Sequence, residues 1–371
     1  MAKIMIIAGF GRSLINFRGD LIKEFLAKGH EVVAIAPETD CAEEIRAMGC
    51  GYHSVPLTRS GINPFEDVGS IRSLVSLLNQ YNPDILFSYT IKPVIYGSLA
   101  ARIVGVSNVY SMISGLGYTF GSATVKQQLI GIIVRFLYKQ ALRNNRKVFF
   151  QNPDDINVFQ ALQLLPRAET AVLVNGSGVN IDRFVFDIAK AQPVIFLLMA
   201  RLIWDKGIGQ LVEAGRTLKE KYPAIRIVLL GPFDTNPNAI TRECVKQWEQ
   251  EGIIEYLGET RDVRPYLCNS SVYVLPSYYP EGTPRSILEA MAVGRPIITT
   301  DTPGCRETVR EGINGYLVPP RDSIALAAAM EKFIIEPALI TKMGARSREI
   351  AEEKYDVRKV NQSMLQAMGL C

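Results

Sequence analysis

Histidine, paired cysteines and long apolar runs are all scarce in this chain of 371 residues. It has two histidines, and its six cysteines are far apart with no CxxC pair, which argues against a zinc site or a disulfide framework. Charges interrupt every apolar run well before the roughly 18 residues that a membrane-spanning helix needs. No basic start, apolar stretch and small-residue cleavage site combine into a signal peptide. We therefore expect a reduced, cytoplasmic protein with no metal site.

Acidic residues are missing from one long segment, between Asp84 and Asp154, which contains eight basic residues. Within it, "VKQQLIGIIVRFLYKQALRNNRK" predicts a basic, strongly apolar helix. This is either a core helix with a solvated basic rim or a face that lies against an anionic membrane, where each basic residue contributes about 1 kcal/mol. No interleaving of aromatic and basic residues accompanies the charge, so we expect no nucleic acid partner. The residues of the possible membrane face are Lys126, Arg135, Lys139, Arg143, Arg146 and Lys147.

The chain length and the alternation of strands and helices predict two α/β domains. Apolar, β-branched runs alternate with helical patterns over residues 1–182, pause over 183–192 and resume over 193–352. Such runs are typical of parallel strands that are buried on both faces, with helices as crossovers. We expect two doubly wound sheets joined by a linker at 183–192, and a last helix within 353–371 that packs on the first domain. Ligands bind at the carboxyl ends of such strands, which favours a site in the cleft between the domains.

The stretch "GFGRSLINFRG", residues 9–19, follows the first predicted strand as the glycines of a dinucleotide-binding unit would. That fingerprint requires a third glycine three residues after the second. Leu14 occupies the position, so a nicotinamide enzyme is disfavoured. Gly9 and Gly11 need another explanation.

The most informative stretch is "PSYYPEGTPRSILEAMAVGRPIITTDTPGCRETV", in which Glu281 and Glu289 are eight residues apart. Its "GTP" turn can expose consecutive backbone N–H groups at the start of a helix, where phosphate is attracted. Glu289 could accept hydrogen bonds from vicinal hydroxyls, as carboxylates do from ribose, and Glu281 could do so for a sugar ring. The alternative is two ordinary surface glutamates near a helix start.

A second motif, "LLMARLIWDKG", places Arg201 and Lys206 just after a strand of the second domain. A pair of cations in this position can clamp a diphosphate leaving group.

Together, "MARLIWDKG", "YLGE", "PEGTPRSILEAMAVGRPIITTD" and "GINGYLVPP" resemble the retaining, GT-B-fold family 4 glycosyltransferases over nearly the whole chain. The resemblance implies two Rossmann-like domains and a nucleotide-diphosphate sugar donor, with no cofactor and generally no metal. It implies catalytic roles for Glu281, Arg201 and Lys206, the cations holding the diphosphate and Glu281 lying against the donor sugar. Glu289 would bind the ribose. The other implied donor contacts are Gly9, Gly11, Tyr256, Gly258, Glu259, Gly282, Thr283, Pro284, Arg285, Ser286 and Ile287.

The implied acceptor contacts are Arg12, Arg18, Ser114 and Gly115, with a helix-start surface charge as the alternative for Arg18. Many family members carry a histidine near the reaction centre, at the end of a strand of the first domain. In this chain, Ser114 and Gly115 of "SMISGLGY" occupy the corresponding position, and His30 and His53 are far from it in sequence. The departing phosphate can itself take the acceptor's proton, which leaves the protein charge stabilisation and positioning.

The segments "GFGRSLINFRGDLIKEFLAKGHEVVAIAPE" and "SGLGYTF" are most similar to bacterial enzymes that extend sugars on undecaprenyl diphosphate, including N-acetylgalactosaminyltransferases of O-antigen assembly. This similarity implies a UDP-sugar donor that carries an N-acetylhexosamine or hexose, and a polyprenyl-diphosphate-linked glycan as acceptor. The enzyme would then be peripheral at the inner face of the cytoplasmic membrane. Two alternatives remain open: a UDP-sugar epimerase of the same fold, and a non-catalytic subunit that binds nucleotide sugars.

Overall fold

The computed structural model of the chain describes residues 1–57, 64–117, 125–236 and 238–371, with the backbone alone at 64–65 and 125–127. These residues form two compact units. The first comprises Met1–Ser177 and Arg358–Cys371, and the second Gly178–Val357. Residues 183–192, predicted as a linker, are therefore part of the second unit, and the chain returns to the first unit at its end.

Within the described residues, the sheet of the first unit has seven parallel strands. They are β1 (Lys3–Ile7), β2 (Glu31–Ala36), β3 (Gly51–Ser54), β4 (Ile85–Tyr89), β5 (Asn108–Ile113), β6 (Asn145–Phe150) and β7 (Ala171–Leu173). Their order is β3-β2-β1-β4-β5-β6-β7, which reverses direction between β1 and β4. The carboxyl edge beside such a reversal, the switch point, is where doubly wound sheets bind ligands.

Helices cover both faces of this sheet. They are α1 (Gly11–Asn16), α2 (Gly19–Ala27), α3 (Ala42–Ala47), α4 (Pro64–Tyr81), α5 (Ile91–Val104), α6 (Val125–Ala141), α7 (Pro153–Ala161) and, from the end of the chain, α14 (Val357–Met368). Successive residues of β1 point to opposite faces. Ile4 joins the apolar cluster that includes Met364 of α14, while Met5 joins the cluster that includes Tyr138 of α6. The last helix therefore completes one of the two cores of the first unit.

The described part of the second unit repeats the arrangement with six parallel strands. They are β8 (Ile195–Met199), β9 (Arg226–Leu230), β10 (Glu255–Tyr256), β11 (Val272–Leu275), β12 (Ile297–Thr300) and β13 (Gly315–Val318). The order β10-β9-β8-β11-β12-β13 puts the switch point between β8 and β11. The helices are α8 (Ile208–Lys221), α9 (Arg242–Gln250), α10 (Arg264–Cys268), α11 (Arg285–Val293), α12 (Ser323–Ile335) and α13 (Ala338–Ile350), which a π-helical turn at Ala351–Tyr355 extends. The predicted α/β fold with two doubly wound sheets is confirmed.

The predicted basic helix is shorter than the sequence pattern indicates. The helix α6 ends at Ala141, a 3₁₀ turn follows over Leu142–Asn144, and β6 begins at Asn145. Arg146 and Lys147 are therefore strand residues and do not continue the helical face. The side chain of Lys126 lies outside the described residues. Within the described ranges, every helix is too short or too polar to span a bilayer.

Candidate active site

The predicted donor residues of the second unit lie in loops at the carboxyl edge of its sheet. Arg201 and Lys206 follow β8, and Glu281 follows β11, so the switch point separates the two loops. A loop after β9 adds Asp234, which the sequence analysis did not single out. Asp234 comes four residues after a strand end, and the strand-end rule that selected Arg201 could have selected it too.

Lys206 and Glu281 form an ion pair across this switch point. The Lys206 Nζ lies 2.6 Å from Glu281 Oε2, and the two side chains are only 11% and 14% exposed. The other carboxylate oxygen of Glu281 accepts a hydrogen bond from the Ser277 hydroxyl at 2.7 Å. The Lys206 ammonium also lies 5.4 Å from the centre of the Tyr279 ring, within cation–π range. Both charged groups are thus held in fixed positions.

Arg201 is paired with the aspartate of the neighbouring loop. Its guanidinium lies 2.7 Å from Asp234 Oδ2, and the arginine side chain remains 39% exposed. Burial raises the pKa of Tyr279, and the nearby Arg201 partly opposes that rise. Two cations therefore lie around Tyr279, one half-exposed and one nearly buried. An anionic ligand at this edge would meet positive charge that internal carboxylates now neutralise.

Backbone contacts fix the shape of the loop that carries Glu281. The Asp205 carbonyl accepts hydrogen bonds from the N–H groups of Tyr278 and Tyr279 at 2.9 and 3.1 Å. Gly304, at φ +80°, packs against the same loop so closely that a Cβ there would lie 2.0 Å from the Gly282 carbonyl oxygen. The backbone of Gly304 and that of the loop are therefore in direct contact, with no room for a side chain between them.

The helix that follows this loop, α11, begins at Arg285. Glu289, one turn in, accepts a hydrogen bond from Arg285 Nε at 3.0 Å. Burial raises the pKa of Glu289, and Arg285 opposes the rise. Of the other predicted contacts, Thr283 is buried, and the Ile287 side chain is fully buried in the core. Residue 287 therefore exposes no surface to a ligand in this structure.

The "YLGE" residues line a neighbouring part of the same edge. The Tyr256 hydroxyl donates to the Gly231 carbonyl at 2.9 Å, and its ring meets the edge of Phe233 at 5.4 Å between centroids. Arg242 covers the Phe233 ring at 4.2 Å. Glu259 is exposed, and Gly258 takes a left-handed φ of +76°. An aromatic pair, Phe233 and Tyr256, therefore lies beside these predicted donor contacts.

The predicted residues of the first unit gather at the carboxyl edge of the other sheet. Gly9 and Gly11 follow β1, and Ser114 and Gly115 follow β5. The Gly11 N–H donates to the Glu38 carboxylate at 2.7 Å. The carboxylate of Glu38 therefore already binds the N–H of a residue that is predicted to contact the donor.

The two arginines of this loop differ in their surroundings. Arg12 pairs with Glu44 at 2.6 Å. Arg18 is only 2% exposed; it donates to the Met112 sulfur and lies 5.2 Å from the centre of the Tyr89 ring. The interpretation of Arg18 as a surface charge is therefore wrong, since its guanidinium packs against aromatic rings and a thioether.

The two histidines lie away from the strand ends that carry these residues. His30 accepts a hydrogen bond from the Ala2 N–H at 3.1 Å, at the amino end of β2, and burial lowers its pKa. His53 lies within β3 and bonds the Tyr81 hydroxyl. All six cysteines are free thiols. Across the described part of the chain, no three metal-binding side chains cluster.

Two family models match this chain. The model "Glycosyl transferases group 1" matches residues 180–350, and "Glycosyl transferase 4-like" matches residues 9–152. The chain is a glycosyltransferase of the GT-B fold. A similar curated protein is the N,N'-diacetylbacillosaminyl-diphospho-undecaprenol alpha-1,3-N-acetylgalactosaminyltransferase of Campylobacter jejuni, 25% identical over 98% of this chain and 97% of that protein.

Solved structures of the same fold cover the glycosyltransferase from end to end. Anabaena HepE in complex with UDP matches with a TM-score of 0.78 at 18% identity, over 100% of both chains. The sucrose-phosphate synthase of Thermosynechococcus elongatus matches with a TM-score of 0.82 at 20% identity, over 99% of this chain and 98% of that one. The second-unit loops that carry Arg201, Lys206 and Glu281 lie within the group 1 match.

Proposed function

We propose that this glycosyltransferase moves an N-acetylhexosamine or hexose from a UDP-sugar to a saccharide on a polyprenyl diphosphate, with retention of anomeric configuration. The pair of cations at the switch point of the second sheet carries the donor half of the proposal. Arg201 and Lys206 are each held by a carboxylate, at 2.7 and 2.6 Å. A diphosphate offers each cation a stronger, doubly charged partner.

The roles of these residues follow from where negative charge develops. As the bond between the sugar and UDP breaks, charge grows on the diphosphate, which Arg201 and Lys206 would stabilise. The departing phosphate oxygen would take the proton of the acceptor hydroxyl on the same face of the sugar, so no histidine base is needed. Glu281, fixed by Ser277 and Lys206, would orient the sugar hydroxyls. Glu289 would bind the ribose.

The nucleotide assignment is supported by the HepE relative, which was solved with UDP, with UDP and glucose, and with UDP-glucose. The acceptor assignment is supported by the Campylobacter jejuni relative, whose name specifies a diphospho-undecaprenol acceptor. Other relatives are named as glycosyltransferases of polysaccharide biosynthesis, among them CapM of Staphylococcus aureus. We therefore place the reaction in bacterial surface-glycan assembly, on a lipid-anchored acceptor and with the enzyme peripheral to the membrane.

The donor half is tested by a thermal-shift comparison of UDP, GDP, ADP and NAD at equal concentration. A ligand at about 100 times its dissociation constant stabilises the fold by about 2.7 kcal/mol. We expect UDP alone to give a shift, which Arg201→Ala should reduce. The matched control is Arg216→Ala, since Arg216 is equally exposed and paired with a carboxylate, but lies on α8. A shift with NAD alone would overturn the proposal.

The acceptor half is tested by release of UDP from a UDP-sugar. A transferase requires an acceptor, so release should begin only when a polyprenyl-diphosphate saccharide is added. An epimerase would interconvert UDP-sugars without one. If the donor binds and neither reaction occurs with any acceptor of this class, the non-catalytic alternative would be favoured.

A further inference from the structure

The helix α6 carries apolar side chains on two different faces. On one face, Val134 and Tyr138 are buried in the core of the first unit. On the other face, four large apolar side chains are exposed: Leu129 (59%), Ile132 (59%), Ile133 (47%) and Phe136 (60%). Their spacing of i, i+3, i+4 and i+7 makes them one continuous stripe over two helical turns. Exposed apolar residues on a soluble protein are usually scattered singly, so a stripe of four indicates an interaction surface.

Basic side chains border this stripe. Arg135 and Lys139 are one turn apart, and their helical positions adjoin those of Ile132 and Phe136. Arg143 is exposed just beyond the helix end. Arg135 and Arg143 donate to neutral groups of the same segment, the Gly131 carbonyl and the Gln140 amide oxygen. Because the sequence from 85 to 153 has no acidic residue, no carboxylate of this segment neutralises the charge.

We propose that this surface docks on an anionic lipid bilayer, with the stripe inserted at the boundary between headgroups and acyl chains. We name it the α6 face and define it as Leu129, Ile132, Ile133 and Phe136 with Arg135, Lys139 and Arg143. An apolar stripe beside basic residues, on a helix about 25 Å long, is the pattern of a helix that lies in the membrane interface. The positive charge selects the anionic leaflet over a neutral one. The apolar stripe adds what the basic charge alone does not give, binding that persists when salt screens the charge.

The biological use of the α6 face rests on the proposed function. A polyprenyl-linked acceptor is embedded in the bilayer, so the unit that carries α6 would be brought to the surface that holds its substrate. Docking itself requires no catalysis. The two proposals can therefore fail separately.

The test is sedimentation of the full-length protein with vesicles of phosphatidylglycerol and phosphatidylcholine, and with vesicles of phosphatidylcholine alone. We expect much stronger binding to the anionic vesicles than to the neutral ones. A stripe variant, Ile132→Ser with Ile133→Ser and Phe136→Ser, should lower the partition coefficient about tenfold or more. A charge variant, with Arg135, Lys139 and Arg143 changed to Gln, should bind the anionic vesicles more weakly than the wild type at low salt, and added salt should weaken its binding less. At about 0.5 M NaCl the wild type should keep a residual binding that the stripe variant lacks.

Matched controls separate the α6 face from general apolarity and charge. Ile324 and Ile335 are 82% and 68% exposed on α12 of the second unit, and their replacement by Ser should leave sedimentation unchanged. Lys23 and Lys28 are exposed at α2 of the first unit, and their replacement by Gln should also have no effect. The stripe side chains are already exposed, so the variants should keep the wild-type unfolding temperature.

Three results would overturn the proposal. The wild type could stay in the supernatant with anionic vesicles, or the stripe variant could sediment as fully as the wild type. In the third result, the wild type forms a concentration-dependent dimer but binds no vesicles, and the stripe variant does not dimerise. The α6 face would then be a contact between two copies of the chain. The UDP thermal shift should be the same in wild type and stripe variant. Vesicle binding without any UDP shift would retain the α6 proposal and remove the proposed function.

Discussion

Replacing Thr90 by glycine should stabilise the first unit, although threonine is the larger and more restricted residue. Thr90 follows β4 at the carboxyl edge, with φ +70° and ψ 160°. Glycine adopts that combination readily and other residues almost never, and its cost for them is about 1–3 kcal/mol. The threonine side chain is exposed, so its loss opens no cavity. Glycine also destabilises the fold by roughly 0.5–1 kcal/mol, because its unfolded chain has more conformational entropy to lose. The net expectation is a gain of about 1 kcal/mol.

The assay is thermal unfolding of the full-length protein, followed by calorimetry and by tryptophan fluorescence. A gain of about 1 kcal/mol corresponds to a rise of about 2–4 °C for a unit of this size. Both tryptophans, Trp204 and Trp248, lie in the second unit, so their emission provides an internal reference that should not move. The UDP thermal shift should also be unchanged, because the proposed donor cations belong to the second unit.

Gln163→Gly is the matched control for Thr90→Gly. Gln163 is likewise exposed with a positive φ of +51°, just after α7. Because residues other than glycine tolerate this left-handed region, Gln163→Gly should relieve less backbone strain than Thr90→Gly. If Thr90→Gly lowers the unfolding temperature of the first unit, or changes it no more than Gln163→Gly, the strain argument is refuted.

Three further predictions concern single sites. Burial raises the pKa of Asp155 from 3.8 to about 7, so its stabilising contribution is complete below pH 3.8 and is lost as the pH rises through 7. In urea unfolding, the free energy of unfolding of Asp155→Asn should therefore rise relative to that of the wild type between these two pH values, by at most about 4 kcal/mol. A difference that does not change with pH would contradict this. Lys206→Ala should lower the free energy of unfolding by about 1–3 kcal/mol. In a double-mutant cycle with Glu281→Ala, the two effects should not add, and the coupling energy should be of similar size. Gly304→Ala should abolish the UDP shift by displacing Gly282, whereas Gly312→Ala, at φ +70° with no atom within 4 Å, should keep it; equal effects would be evidence against the packing argument.

Much of the fold follows from local sequence patterns, because parallel strands buried on both faces leave long apolar runs. The strand β13 escaped that reasoning. Its sequence "GYLV" is short and starts with a glycine, which weakens any strand pattern. The structure gives the reason for that glycine, since a Cβ on Gly315 would lie 1.8 Å from the Ile297 carbonyl oxygen. The close packing at this edge of the sheet thus requires a glycine, and that glycine lowers the strand propensity by which β13 could have been predicted.

The candidate site is predictable to the extent that it depends on strand ends. The position of Arg201 and Lys206 after an apolar run predicts that they follow a strand, and they do follow β8. Their carboxylate partners could not be assigned from spacing alone. Asp234, for example, lies 33 residues beyond Arg201. The same holds for the Gly11 N–H, whose partner Glu38 lies 27 residues further along the chain. Such contacts arise because neighbouring parallel strands bring distant loops to one edge.

This geometry changes how the roles of Lys206 and Glu281 should be understood. From the sequence they are separate contacts, a cation for the diphosphate and a carboxylate for the sugar. In the structure they are one ion pair across the switch point, at 2.6 Å. A substitution at either residue releases a nearly buried charge in the other, and so perturbs both ligand contacts at once. The effect of Glu281→Ala on turnover therefore contains a contribution from a misplaced Lys206. Only comparison of each single variant with the double variant can divide the loss between the sugar and the diphosphate.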